Sequence, residues 1–176
     1  MKRLQHVIPL VVGLALLSTV GVVAAEETAR SKTPPELRVP DGHHRVLQSI
    51  GRGVQIYDCV DGAWKFREPA AAIIDERTDK VVALHYVGPT WQSIRDGSKV
   101  TAAVKARRDA PNPQRDTPWL LLEATSTAGP GLFADVRYIQ RLHTEGGVGP
   151  VGACTPGSSV SIPYKATYDF WAPVAN

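Results

Sequence analysis

The chain reads as an all-β protein, a single-domain antiparallel β-sandwich or flattened barrel of about nine strands. Three observations carry that reading. Short runs rich in Val, Ile, Thr and Tyr recur from Val46 onward, separated by Gly, Pro or Asp. Several of these runs alternate apolar and polar residues with a period of two. Beyond residue 25 no run of ten residues shows the 3.6-residue period of an amphipathic helix. A sheet of so many strands curls or splits, which leaves two packed layers or a closed wall.

The elements follow in chain order. Met1-Lys2-Arg3 is a positive start, Val7 to Leu17 is an apolar run, and Val23-Ala24-Ala25 places small residues where a signal peptidase reads. Residues 1–25 therefore read as a signal peptide cut after Ala25, and the mature chain as secreted or periplasmic. The 19 residues from Val7 to Ala25 are long enough to span a bilayer as an uncleaved anchor, but Ala24-Ala25 followed by Glu26-Glu27 suits cleavage better. No cysteine sits at the cut to take a lipid, so no membrane attachment is expected after cleavage. Residues 26–40, with Pro34-Pro35 and Pro40, read as a flexible arm, and 41–176 as one β-domain.

Strands are expected near 45–50, 53–59, 63–67, 71–75, 80–87, 99–107, 118–126, 135–143 and 160–171. Over 99–107, Val100, Ala102, Val104 and Ala106 share a side. Trp119-Leu120-Leu121-Leu122 is apolar on both sides and belongs in the middle of a sheet stack. On 135–143, Arg137, Ile139, Arg141 and His143 oppose Val136, Tyr138, Gln140 and Leu142, which puts the Gln140 amide on the apolar side with Gln55 as a candidate partner. Over 160–171, Ile162, Tyr164, Ala166, Tyr168 and Phe170 form one face. Asp61-Gly62, Asp96-Gly97, Gly129-Pro130-Gly131 and Gly146-Gly147 mark the turns.

Charge narrows the partners. The formal net charge is +3, and removal of Lys2 and Arg3 with the leader leaves 18 basic against 17 acidic residues. Lys105-Ala106-Arg107-Arg108 lacks interleaved aromatics and is followed by Asp109 and Asp116, so nucleic acid is not an expected partner. Cys59 and Cys154 are the only cysteines and both lie in the exported part, where one disulfide is the economical reading and two separate buried thiols the other.

Five blocks occur in order: Gly53-Val54-Gln55-Ile56-Tyr57-Asp58-Cys59, His85-Tyr86-Val87-Gly88-Pro89-Thr90-Trp91, Asp96-Gly97-Ser98, Pro118-Trp119-Leu120-Leu121-Leu122, and Tyr138-Ile139-Gln140-Arg141-Leu142 through Gly146-Gly147 to Cys154. In these blocks the chain resembles an exported family catalogued as domain of unknown function 3455, over most of Val39 to Trp171. The resemblance implies no established activity. Some members carry a malate dehydrogenase label, and Gly147 to Gly152 spells GxGxxG, but that fingerprint works through a helix N-terminus and Pro156-Gly157 stop any helix here. No cofactor is expected.

Among residues able to do chemistry, His85 sits at a strand end before Gly88-Pro89 and Trp91, with Asp96 close in sequence. Arg141 and His143 could clamp a carboxylate or phosphate. His43, His44, His85, His143 and Asp96 lack any metal-ligand spacing, so no metal is expected. The first functional reading is a structural or small-ligand-binding module, whose partner is an unknown small molecule or an extracellular partner. Its site lies where the 85–98 segment meets the 146–154 loop: Tyr57, Trp91 and Trp119 supply contact area, and Gln55, His85, Asp96, Arg141 and His143 supply polar groups. The alternative is an extracytoplasmic enzyme using His85 and Asp96 as acid/base or metal-site residues.

Overall fold

The computed structural model describes residues 33–175. The signal peptide read at 1–25, its cut, and arm residues 26–32 lie outside the described residues. A 3-10 turn, Pro35–Leu37, is followed by β1 (His43–Val60), β2 (Ala63–Asp75), β3 (Lys80–Tyr86), β4 (Thr90–Ser93), β5 (Lys99–Arg108), β6 (Trp119–Ala128), β7 (Tyr138–Gly146) and β8 (Ser159–Pro173). Each strand pairs antiparallel with the next and β8 returns to β1 from Asp58↔Ser159 to His43↔Pro173, so the sheet closes into a barrel. Of the two expected architectures, the barrel is the one formed.

Eight strands replace the expected nine for definite reasons. Gly51-Arg52-Gly53 looked like a break, yet β1 runs straight through it. A Cβ at Gly51 would strike the Tyr168 ring at Cε2, so here glycine admits an aromatic ring rather than ending a strand. Glu68-Pro69-Ala70 does not interrupt β2 either. β3 pairs only with residues 71–75, so Pro69 lies on a stretch bordered by a strand on one side only, where a proline is tolerated. The additional strand is the four-residue β4, which is too short to show a period.

The barrel interior is packed by Leu47, Ile73, Ala83, Trp91, Val100, Leu120, Leu122, Ile139 and the face Tyr164, Ala166, Tyr168, Phe170 of β8, joined by Phe133 and Val136. The β8 alternation therefore runs as expected. β5 departs from it. Register shifts at Thr101/Ala102 and Val104/Ala106 carry Ala106 to the outer face while Val100 and Ala102 stay inside.

β6 is buried on both sides, and the outer cover explains why. Leu37 and Val39 pack with Leu121, Tyr138, Leu142 and Trp171 on the outside of β6, β7 and β8. The compact unit holding the barrel starts at Pro35 rather than residue 41, and residues 35–39 are a packed strap, not arm. Apolar side chains repay the cost of ordering it. Gln140 lies under this strap, donating from Nε2 to the Leu37 carbonyl (2.7 Å) and accepting from Trp171 Nε1–H (2.9 Å). The expected pairing with Gln55 does not form, because the apolar side of β7 faces outward and Gln55 faces inward. Gln140→Met preserves side-chain length while removing both bonds, and a loss of about 2 kcal/mol is expected in urea unfolding. A change within about 0.3 kcal/mol would show that the strap is held by apolar contact alone.

Strand order fixes the two ends of the barrel. One end carries the turns at 61–62 and 87–89 and the loops 109–118 and 147–158, and the other carries 76–79, 94–98 and 129–137. At the first end the wall is cut low. β3 pairs only with residues 71–75 and β4 only with 99–101, so residues 63–70 of β2 and 102–108 of β5 stand past them with no strand between. That gap is a side notch into the barrel.

Candidate functional site

The β3–β4 hairpin sets the site. Its register places His85 opposite Trp91, and the two rings stack at 4.2 Å with their planes 2° apart. Gly88, at φ 73°, makes the turn that such a short hairpin needs. Behind the stack stands Tyr168, edge-on to His85 at 5.5 Å and to Trp91 at 5.8 Å. His85 Nδ1 lies 2.9 Å from the Thr90 carbonyl, which can only accept, so Nδ1 carries the proton. Burial, reinforced by the nearby Arg141 charge and opposed by the Thr90 bond, pushes the imidazole pKa down to about 3. The ring is neutral at physiological pH.

Arg141 lies opposite Tyr168 on the inward side of β7 and donates from Nε (3.2 Å) and Nη2 (3.0 Å) to the Pro118 carbonyl. Among the described residues no carboxylate pairs with it and Nη1 donates to no protein atom. Gln55, 2% exposed, and Trp91, 1% exposed, keep Nε2 and Nε1 buried without an acceptor among the described residues. Gln55, His85, Trp91 and Arg141 all line one cavity of about 380 Å³. Leu120, Leu122 and Tyr168 complete its inner wall, and Phe66, Arg67, Pro69, Gly88, Pro89 and Val104 carry it out to the notch.

The other four expected site residues lie elsewhere. Tyr57 donates to the Gly147 carbonyl (2.7 Å), and its ring would be struck by any Cβ at Gly149, so it seats the 147–158 loop over the end of the barrel. Burial raises its pKa. The Cys59–Cys154 disulfide, with Cα atoms 5.8 Å apart, fastens the same loop to the end of β1. Asp96 sits at the opposite end, where it lines a separate cavity with Ser93 and Leu132. Its carboxylate accepts from Ser98 Oγ and N and from Leu132 N, bonds that hold its pKa at about 2 and tie the 94–98 turn to the 129–137 loop. Trp119 and His143 meet edge-on at 5.1 Å on the outer face, where Trp119 packs against the strap cluster. His143 leaves the inward side because the register shifts between Leu142 and Glu145 and its φ is 48°.

The expected partnership of His85 with Asp96 is therefore undone by their placement at opposite ends. The glycine run 147–152 is followed by no helix, so it lacks the geometry of a dinucleotide fingerprint. Among the described residues no three His, Cys, Asp or Glu side chains gather as a metal would need.

A family model matches residues 40–172, from just before β1 to within β8. The chain belongs to the family described as Protein of unknown function (DUF3455). No curated protein and no solved structure matches it. In this DUF3455 chain the match spans both the closed barrel and every residue of the cavity.

Sequence reasoning missed the outer lining, Phe66, Pro69 and Val104. Each borders the notch, and the notch exists only because β3 and β4 are short. Tyr168 had a signal, its place on the inward face of β8.

Proposed function

We propose that the barrel is an exported small-ligand-binding module whose ligand enters through the notch and lies in the cavity between the His85–Trp91 stack and Arg141. The observation that carries this reading is the cavity of about 380 Å³ itself, lined by Gln55, His85, Trp91 and Arg141, with Gln55 Nε2 and Trp91 Nε1 buried behind its wall and without an acceptor among the described residues. Folded proteins satisfy such groups as a rule, and pockets of a few hundred Å³ with few polar groups are the usual form of a ligand site. The enzymatic alternative finds less support. General acid–base catalysis works best with a pKa near the operating pH, and His85 is held far below it with no carboxylate at its side.

Export is supported by the leader pattern of residues 1–25 together with the disulfide. A nucleic-acid partner is not supported: Lys105, Arg107 and Arg108 each face a carboxylate, in Glu123, Asp109 and Glu36.

The neutral, environment-sensitive dye N-phenyl-1-naphthylamine tests the reading. Saturable one-to-one binding is expected, with energy transfer from tryptophan. Val104, 54% exposed at the notch, can carry a blocking side chain with little effect on the fold. Val104→Trp is expected to weaken dye binding by about 10-fold or more, or 1.4 kcal/mol, with stability changed by no more than about 0.5 kcal/mol. Absence of saturable binding, or equal binding by the variant, would overturn the proposal.

A further inference from the structure

We propose that the ligand is a monoanion with a carboxylate head on Arg141 and an apolar body extending toward Phe66 and Val104 at the mouth. This inference rests on the binding reading above and adds the chemical class of the occupant.

Charge is decisive. Among the described residues two cations, Arg67 and Arg141, border the cavity and no carboxylate does. Arg67 is taken by Asp58 at 2.9 Å and by Glu68 at 3.0 Å. Among the described residues Arg141 is met only by the Pro118 carbonyl, which uses two donors and leaves the positive charge uncancelled. A half-buried guanidinium without a counter-charge favours an anion, and a fork of planar donors fits a carboxylate. One such cation matches one negative charge. A phosphate monoester would bring a second charge that this cavity does not answer, since His85 is neutral.

Hydrogen bonding points the same way. Among the described residues Arg141 Nη1 donates to no protein atom, and His85 Nε2, left as an acceptor by the Nδ1–H bond to Thr90, has no protein partner either. A carboxylate meets the charged Arg141 fork with two acceptor oxygens and a negative charge, whereas a neutral amide offers one oxygen and no charge. The remaining wall is apolar, from Leu120 and Leu122 inside to Phe66 and Val104 at the mouth.

Titration calorimetry on the mature chain with three probes of similar shape tests the class: 1-naphthylacetate, 1-naphthylacetamide and 1-naphthyl phosphate. The acid is expected to bind on the order of 10- to 100-fold tighter than the amide, and tighter than the phosphate. Arg141→Gln is expected to erase the preference for the acid over the amide, and Arg141→Lys to retain part of it. The acid–amide comparison on the unaltered protein stands even if a variant folds poorly. Equal binding of acid and amide would overturn the carboxylate assignment and leave the binding module intact. Tighter binding of the phosphate would also overturn it. If none of the three binds while the neutral dye does, the class is wrong. If the dye fails as well, the binding reading falls with it.

Discussion

Replacing both cysteines, Cys59→Ser with Cys154→Ser, is expected to lower the unfolding free energy by about 4–5 kcal/mol, the largest single effect anticipated for this barrel. The bond closes a loop of 95 residues, and a link between such distant points removes much of the freedom of the unfolded chain. For a domain of this size that loss corresponds to a fall in Tm of roughly 10–20 °C. A local consequence follows from the position of the bond. The 147–158 loop is held by the disulfide, by Tyr57 Oη to the Gly147 carbonyl, and by backbone bonds such as Cys59 N to Ser158 O (2.8 Å) and Val148 N to Arg115 O (3.2 Å). Without the covalent tie, amide exchange over 148–158 is expected to rise well before the strands open. Calorimetry of the chain from Glu26 onward against the double variant gives the measurement. A difference below about 1 kcal/mol would mean that the loop is held by its other contacts and that the unfolded chain gains little freedom.

The sequence made the inward face of β8 legible, and it placed Trp91 after the Gly88-Pro89 turn at the end of the His85 strand without showing that the two rings pair across a hairpin. On β8 one side is wholly apolar because it faces a closed interior. At the hairpin, Gly88-Pro89 fixes the turn, and the turn alone sets which residues lie opposite. β7 misled for a physical reason. Its apolar side, Tyr138 and Leu142, is covered from outside by residues 35–39, while Arg141 occupies the barrel interior. Alternation shows that two sides differ, and it does not show which one is inside when both are covered. Asp96 misled because β4, only four residues long, reverses the chain and carries the 94–98 turn to the far end. Bulges in β5 and β7 did the rest, moving Ala106 and His143 to the other side of their strands without altering composition.

Acidification is expected to destabilise the barrel through His85 in a window set by two pKa values. The unfolded ring titrates near 6.5 and the native ring near 3. Above 6.5 both states are neutral and the group makes no contribution to pH dependence. Between 6.5 and 3 the unfolded chain binds a proton that the native chain refuses, so stability falls as pH falls, by about 1.4 kcal/mol per pH unit. At pH 4.5 the accumulated loss reaches roughly 2.7 kcal/mol. The native ring cannot relieve this by charging: it faces the Arg141 cation and the Trp91 and Tyr168 rings, and the Thr90 carbonyl already holds its one proton. The carboxylates with lowered pKa values, Asp96, Asp58 and Glu123 among them, lose stability in the same direction but further down, as the pH drops below the ordinary carboxylate range. The interval from pH 6.5 to 5 therefore isolates the histidine. His85→Phe keeps an aromatic ring on Trp91 and removes the titration. Urea unfolding at pH 7.5, 6.5, 5.5 and 5.0 should show a falling stability for the natural chain and a flatter profile for the variant, whatever its absolute loss from the missing Thr90 bond. Equal slopes in the two proteins would mean that His85 takes up its proton in the native barrel, and the neutral, apolar face assigned to the cavity wall would have to be abandoned.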